Sequence, residues 1–190
     1  MTHSTSAKTT ADRNTTGPEK TRTVIATERL ILRWFDLDDA AFVFELVNDP
    51  DWLRHIGDKG VRDLDGARGY IANGPHASYA RFGFGLWRVE LKDGGTPIGL
   101  CGLLKRDTLD DVDIGYAFLP QFVGQGYAFE AAAATCRHAR EALQLPRLIA
   151  IVSPDNQASI KLLEKLGLRF ETTLKLRDDG SDTALYGCAL

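Results

Sequence analysis

Short runs of alternating apolar and polar residues dominate the chain from Thr23 onward, and segments with helical spacing of apolar residues interrupt them. The runs predict seven strands, at residues 29–35, 84–92, 97–106, 111–119, 147–153, 168–176 and 182–190. The helical spacing predicts four helices, at residues 38–49, 63–73, 127–143 and 157–167. This order of elements indicates an α/β or α+β sheet with helices packed on it.

The first 22 residues differ in composition from the rest of the chain. Met1 to Arg22 is rich in Thr and Ser and nearly free of large apolar residues, so burial of surface cannot offset its ordering entropy. We therefore predict a disordered N-terminal extension at residues 1–22 and a single domain at residues 23–190. The chain has 190 residues, of which 44% are apolar, and this suffices for one domain with a substantial core.

The charge balance and the cysteines exclude several classes of function. A formal net charge of −3 gives no basic surface of the kind that nucleic-acid binding requires, so we expect no nucleic-acid partner. Cys101, Cys136 and Cys188 lie far apart without a CxxC pair, which predicts neither a disulfide framework nor a metal site. No apolar run approaches the roughly 20 residues that span a bilayer, and no secretory signal opens the chain. We therefore expect a cytoplasmic protein without membrane contact.

A loop with two glycines precedes the third predicted helix. Gly124 and Gly126 let the backbone approach a ligand closely, and a helix that begins near Tyr127 points its unpaired N–H groups back at the loop. Hydrogen bonds to a charged group contribute on the order of 1.5–3 kcal/mol each, so several could hold a pyrophosphate without Lys or Arg. Phe129 stands where a dinucleotide-binding loop has its third glycine, and the Lys of a P-loop is absent. An anion site and a plain tight turn are the interpretations that remain.

The segment from Gln121 to Ala128 resembles the acyl-CoA pyrophosphate motif of the GNAT superfamily of N-acetyltransferases. Three blocks also resemble one branch of that superfamily, the RimJ/RimL type of ribosomal-protein alanine acetyltransferase. They are TERLILR at residues 27–33, DIGYAFLPQFVGQGYAFEA at 113–131 and NQASIKLLEKLGLRFE at 156–171. The resemblance extends from about residue 27 to the last residue, and the three blocks in this order make it specific.

The resemblance implies an α/β (α+β) fold of the GNAT type: a mixed, mostly antiparallel sheet of about seven strands, with helices on both faces and a cleft between the fourth and fifth strands. Acetyl-CoA, the co-substrate, would lie in this cleft, with its pantetheine arm on strand backbone and its pyrophosphate on the glycine loop. No metal is implied. The residues that would contact acetyl-CoA are Ala117, Phe118, Leu119, Gln121, Phe122, Val123, Gly124, Gln125, Gly126, Tyr127, Asn156 and Ser159. Asn156 could instead simply cap the last helix, and Ser159 could be a surface residue of its first turn.

The candidate acid follows from a departure from the family pattern. Leu163 stands where many GNAT enzymes have a tyrosine that protonates the leaving thiolate, and its apolar spacing predicts that it packs in the core. Ser159, or a water that it holds, is then the first candidate acid, with Tyr116 and Tyr127 as further candidates. The family fold also implies that backbone N–H groups near Phe118 stabilise the oxyanion.

Two carboxylates are candidate general bases, Asp113 on the fourth predicted strand and Glu90 on the second. By alternation, Asp113 shares one face of its strand with Asp111 and Gly115. Each carboxylate could also be an ordinary solvated strand residue. An α-amino group has a pKa of about 7.7–8.0 and a lysine about 10.4, a difference worth roughly 3.4 kcal/mol. A lysine acceptor therefore requires far more of a base than an α-amine does.

These observations predict an acetyl-CoA-dependent N-acetyltransferase that transfers acetyl directly to a primary amine, with a protein N-terminus as the acceptor. A small amine such as a polyamine or aminoglycoside is the alternative acceptor, and a non-catalytic acyl-CoA-binding module is the alternative from another class. In relatives, the region that corresponds to residues 47–87 covers the acceptor. Its aspartates suit a cationic acceptor or mark solvated helix ends. An exposed edge strand, such as the last one, could pair with its copy in a homodimer.

Overall fold

One eight-stranded sheet forms the centre of the computed structural model, which describes residues 22–176 and 180–190. The strands lie across the sheet in the order β1-β2-β3-β4-β5-β6-β8-β7. Their bounds are β1 Thr23–Ala26, β2 Leu30–Arg33, β3 Leu86–Leu91, β4 Pro97–Leu104, β5 Asp113–Phe118, β6 Arg147–Val152, β7 Arg169–Leu174 and β8 Thr183–Ala189. The α-helices are α1 Ala40–Val47, α2 Pro50–His55, α3 Leu64–Ile71, α4 Ala77–Phe82, α5 Tyr127–Glu141 and α6 Gln157–Lys165. All seven predicted strands and all four predicted helices are confirmed.

Strand β1, helix α2 and the segment from Ala72 to Phe82 were not predicted. β1 has only four residues, too few for an alternating pattern to stand out. The last segment combines a π-helical turn, Ala72–His76, with α4. Helix α2 does have a start signal, because the Asp49 carboxylate accepts the Asp51 N–H at 2.9 Å and Pro50 occupies the first turn.

The sheet opens between β5 and β6. β1 to β5 form a continuous antiparallel ladder, and β6, β8 and β7 form a second one. β5 and β6 run parallel, and their register contains the single pair Asp113 and Ile149, at the start of β5. The strands then separate toward the end of β5. The predicted cleft between residues 111–119 and 147–153 is therefore confirmed.

Alternating side chains on β4 divide the core into two layers. Cys101 belongs to a buried cluster with Ala131 and Ala132 of α5, whereas the neighbouring Leu100 belongs to a cluster with Leu46 of α1. The small alanine side chains allow α5 to lie close to the sheet. Helices therefore cover both faces, as predicted.

The chain ends and sheet edges need separate comparison. The predicted N-terminal extension lies outside the described residues except for Arg22, whose carbonyl accepts the Trp34 N–H at 3.0 Å. The last strand, β8, lies between β6 and β7, so β1 and β7 are the edges, and the expectation that the last strand is exposed was wrong. Within residues 22–176 and 180–190, no helix is both long and apolar enough to cross a membrane.

Candidate functional site

The cleft exposes the backbone of β5 beyond its junction with β6. At the junction, the Ile149 N–H donates to the Val112 carbonyl at 3.0 Å. At the other end of β5, the Leu119 N–H donates to the Ile98 carbonyl of β4 at 2.9 Å. Successive backbone groups of a strand point to opposite sides, so the N–H and carbonyl of Phe118 face the opened cleft.

This alternation distinguishes the three residues that were expected along the pantetheine arm. Phe118 and Ala117 lie opposite Gly99 and Leu100 of β4. By alternation, the backbone groups of Ala117 point toward β4, as those of Leu119 do, whereas those of Phe118 point toward the cleft. Both backbone groups of Leu119 are engaged within the protein, because its carbonyl also accepts the Phe122 N–H at 2.9 Å. Phe118 is therefore the member of the three whose backbone groups face the cleft.

The glycine loop presents a row of free N–H groups. Gly124 and Gly126 have φ angles of 81° and 84°, in the left-handed region that favours glycine. The backbone N–H groups of residues 124–129 donate to no acceptor among the described residues. The Gln125 side chain donates to the Gln121 carbonyl at 2.8 Å and closes the turn. A Cβ at Gly124 would meet nothing within 4 Å, so the loop is open on that side and has room for an anion.

Ser159, Asn156 and Tyr116 meet at the start of α6. The Tyr116 hydroxyl lies 2.7 Å from Ser159 Oγ, and Asn156 Oδ1 accepts the Ser159 N–H at 3.0 Å. Asn156 thus caps the helix, as its alternative interpretation proposed, and orients the turn that carries Ser159. Burial raises the pKa of Tyr116 well above its ordinary value, so this phenol stays protonated at neutral pH. Leu163 is buried in the core, as its spacing predicted.

Asp113 lies on the other face of β5 from Tyr116, as alternation predicted, and the sheet separates it from Ser159. Its carboxylate is almost completely buried, and Arg106 Nε contacts both of its oxygens at 3.1 Å. Burial raises the pKa of Asp113, although Arg106 and Lys105 act in the opposite direction. Asp113 is therefore a buried, ion-paired carboxylate and not a solvated one.

Glu90, the second candidate base, belongs to a charge network on the β2–β3 side of the sheet. Its carboxylate accepts Arg33 Nε at 3.0 Å and contacts Arg88 Nη2 at 3.0 Å. The same two arginines bind the buried Asp39. Two guanidinium groups thus hold the Glu90 carboxylate in place.

Arg29, which the sequence analysis did not single out, reaches the glycine loop from the segment between β1 and β2. Its Nη1 donates to the Gln125 carbonyl at 3.1 Å, and its Nε donates to Glu130 at 2.6 Å. The guanidinium also lies over the Tyr127 ring, 4.4 Å from its centroid. One feature of the sequence could have pointed to Arg29. The TERLILR block, which contains Arg29, occurs in the same chain as the block that contains the glycine loop.

On the acceptor side, four of the aspartates have partners within the protein. Asp49 and Asp63 cap α2 and α3, and Asp58 and Asp65 pair with nearby arginines.

A cavity of about 300 Å³ opens beside the Asp113–Arg106 pair. Its walls include Tyr70, Asn73, Pro75, Arg81, Lys105 and Arg106. Within the described residues, no cluster of three or more His, Cys, Asp or Glu side chains could hold a metal.

Comparisons with known proteins agree with this geometry. The family model described as "Acetyltransferase (GNAT) domain" matches residues 29–169. YkkB of Bacillus subtilis is 31% identical over 157 residues, which cover 81% of this chain and 90% of that protein. The crystal structure of an acetyltransferase from Agrobacterium tumefaciens superposes with a TM-score of 0.73 at 30% identity, over 86% of this chain and 92% of that chain.

A further solved structure carries the cofactor. The ribosomal alpha-N-protein acetyltransferase RimL in complex with coenzyme A superposes with a TM-score of 0.73, over 89% of this chain and 98% of that chain. Its sequence identity is 18%, so this likeness concerns the fold alone. The family model covers well over half of the chain and includes both the loop and α6. The chain belongs to the GNAT acetyltransferases and is an acetyl-CoA-dependent N-acetyltransferase.

Proposed function

We propose that this enzyme holds the pyrophosphate of acetyl-CoA on the N–H groups of residues 124–129 and the pantetheine arm along Phe118. The row of N–H groups without an acceptor among the described residues is the observation that carries this assignment. Backbone donors at the start of a helix suit an anion, because the helix dipole adds to their hydrogen bonds. The side chains of the loop are not needed for this contact.

The paired hydroxyls of Tyr116 and Ser159 supply the acid of the proposed reaction. The acceptor nitrogen attacks the thioester carbonyl, the C–S bond breaks, and the CoA thiolate takes up a proton as the amine loses one. Ser159 Oγ donates that proton, and Tyr116, 2.7 Å away and protonated at neutral pH, reprotonates Ser159. Tyr116 then recovers a proton from the water that takes up the proton of the amine. The phenol on β5 thus supplies a hydroxyl in a chain where Leu163 stands in place of the helix tyrosine of many GNAT enzymes.

The proposed acceptor is the α-amine of a protein or peptide N-terminus. Asp113 is buried and held by Arg106, and Glu90 is held by two arginines, so neither carboxylate is freely exposed to an acceptor. An α-amine, with a pKa of about 7.7–8.0, has a substantial neutral fraction near physiological pH and can lose its proton through water. The cavity beside Arg106 would receive the residues that follow the amine.

Two measurements on the full chain test this proposal. Acetyl-CoA at about 100 times its Kd should stabilise the protein by about 2.7 kcal/mol, which corresponds to roughly 5–11 °C in Tm, while NAD and ATP should have smaller effects. Absence of a shift in Tm with acetyl-CoA would contradict the loop assignment.

The second measurement tests the acceptor. Acetyl transfer should be faster to short peptides with a free N-terminus than to the same peptides blocked at the N-terminus but carrying lysine. Preferential acetylation of spermidine or an aminoglycoside would contradict the proposed acceptor.

A further inference from the structure

We propose that Arg29 is a positioning residue that holds the glycine loop in its anion-binding conformation, as part of a clamp with Thr27 and Glu130. The inference rests on the proposed binding of the acetyl-CoA pyrophosphate to this loop. It gives a role to the block TERLILR, whose residues lie about 100 positions before the loop in the chain.

Glu130 anchors the clamp on the first turns of α5. Its Oε1 accepts the Thr27 hydroxyl at 2.6 Å and the Arg29 backbone N–H at 2.9 Å. Its Oε2 accepts Arg29 Nε at 2.6 Å. Three donors from one short segment therefore converge on one carboxylate, and this fixes the segment between β1 and β2 against the helix.

Arg29 then controls the orientation of one peptide group in the loop. Its Nη1 donates to the Gln125 carbonyl at 3.1 Å. A trans peptide is planar, and its carbonyl and N–H point in opposite directions. Holding the Gln125 carbonyl toward Arg29 therefore directs the Gly126 N–H away from Arg29, where no acceptor among the described residues receives it.

The guanidinium also controls the local charge. Glu130 lies within the first four residues of α5, close to the N–H groups that would bind an anion, and an unpaired carboxylate there would repel a pyrophosphate. Arg29 pairs with this carboxylate and stacks on Tyr127, with its carbon Cζ 4.4 Å from the ring centroid. Loss of Arg29 thus releases a peptide group and exposes a negative charge at the same time.

The test compares two acetyl donors that differ in the pyrophosphate. Arg29→Gln should raise the KM for acetyl-CoA about tenfold while kcat changes less than about twofold, because the loop acts on donor binding and not on chemistry. The KM for S-acetylpantetheine, which lacks the pyrophosphate, should not change. Arg29→Lys keeps the charge but lacks the planar fork that joins Glu130 and Gln125, so it should rescue only part of the loss. Arg62→Gln, which removes an exposed arginine paired with Asp58, is the matched control.

Equal losses with both donors, or no loss with either, would overturn the proposal. A wild-type enzyme that neither binds acetyl-CoA nor uses it would instead contradict the proposed function itself. If Arg29→Gln does not fold, Thr27→Val provides the same comparison, because it removes one donor to Glu130 and leaves the arginine in place. The same selective rise in the KM for acetyl-CoA is expected, and an unchanged ratio between the two donors would again overturn the clamp.

Discussion

The hydroxyl groups of Tyr116 and Ser159 lie 2.7 Å apart and join β5 to the first turn of α6 across the cleft. Tyr116 is mostly buried against the α5 and α6 side of the sheet, whereas Ser159 lies at the helix start that Asn156 caps. The contact brings together two residues 43 positions apart in the chain. It provides two hydroxyls on the side of the cleft where Leu163 offers none.

Removal of either hydroxyl should slow acetyl transfer without weakening the binding of acetyl-CoA. We expect Ser159→Ala to lower kcat about 100-fold, because general acid catalysis contributes at least that much, and Tyr116→Phe to lower it about tenfold. The double variant should be no slower than about Ser159→Ala alone, because the two hydroxyls form one relay. Steady-state kinetics with saturating acetyl-CoA would show this. Tyr186→Phe, a buried tyrosine on β8, is the control, and additive losses in the double variant would contradict a relay.

The pH dependence of the reaction tests Asp113. Burial raises the pKa of this carboxyl and Arg106 lowers it, so Arg106→Gln should raise the pKa of Asp113 further. A base acts in its deprotonated form. If Asp113 serves the reaction, the acidic limb of kcat/KM should therefore move to higher pH in the variant. Arg81→Gln, on the same cavity rim but paired with Asp107, is the control and should leave the limb in place. An acidic limb that does not move in Arg106→Gln would exclude Asp113 as the titrating base.

Two glycines should respond to alanine in opposite ways. A Cβ on Gly102 would lie 2.2 Å from the Gly85 carbonyl oxygen and 2.8 Å from Leu86 Cα, so β3 and β4 would have to separate. We expect Gly102→Ala to lower the free energy of unfolding by about 3 kcal/mol. Gly69, within α3, has open space around its Cβ position, and Gly69→Ala should raise stability by roughly 0.5–1 kcal/mol. Urea unfolding of both variants gives the comparison, and a Gly102→Ala variant as stable as the wild type would contradict this packing.

The charge network around Asp39 should make stability sensitive to acid. Burial opposes ionisation of Asp39, but hydrogen bonds from Arg33 and the Asp36 N–H, with the charge of Arg88, lower its pKa below the ordinary value. A lowered pKa in the folded state means that this contribution to stability is present above the unfolded pKa of about 3.9 and is lost as pH falls below it. Asp39→Asn should therefore cost about 3–5 kcal/mol at pH 7, because it leaves the largely buried guanidinium groups of Arg33 and Arg88 with one carboxylate, that of Glu90, in place of two.

The difference between wild type and Asp39→Asn should shrink as the pH of the unfolding experiment falls below about 3.9. Asp65→Asn provides the control, because Asp65 is exposed and pairs with Arg68 on the surface of α3. This variant should change stability by less than about 0.5 kcal/mol at any pH. A difference for Asp39→Asn that is independent of pH would contradict the charge-based explanation.

Local patterns predicted most of the fold because each strand or helix carries its own signal. The alternating run at residues 111–119 and the helical spacing at 157–167 depend on neighbours in the chain, and both elements are present. The π-helical turn with Pro75 has no periodic signal of its own. The last strand was predicted as an element, but its place inside the sheet depends on strand order, which no local pattern specifies.

The site was less predictable because its contacts are long-range. The phosphate loop could be interpreted from two glycines and a helix start, whereas the contact between Arg29 and Gln125 spans 96 positions. Asp113 was identified as a strand carboxylate, but its burial and its pairing with Arg106 follow from the fold of the preceding turn, between β4 and β5. Sequence indicated which residues carry chemistry, and tertiary structure determines which of them are free to use it.

The opening between β5 and β6 divides the sheet into two parts, and the strands at the junction pair with each other at Asp113 and Ile149. The pantetheine arm of acetyl-CoA, bound along Phe118, would take the place of a strand in this opening and connect the two parts of the sheet. We therefore expect the two parts of the sheet to move least relative to each other when acetyl-CoA is bound, and to move more after CoA leaves. In the free enzyme, the gap that admits acetyl-CoA would then also be the place where the sheet is most flexible.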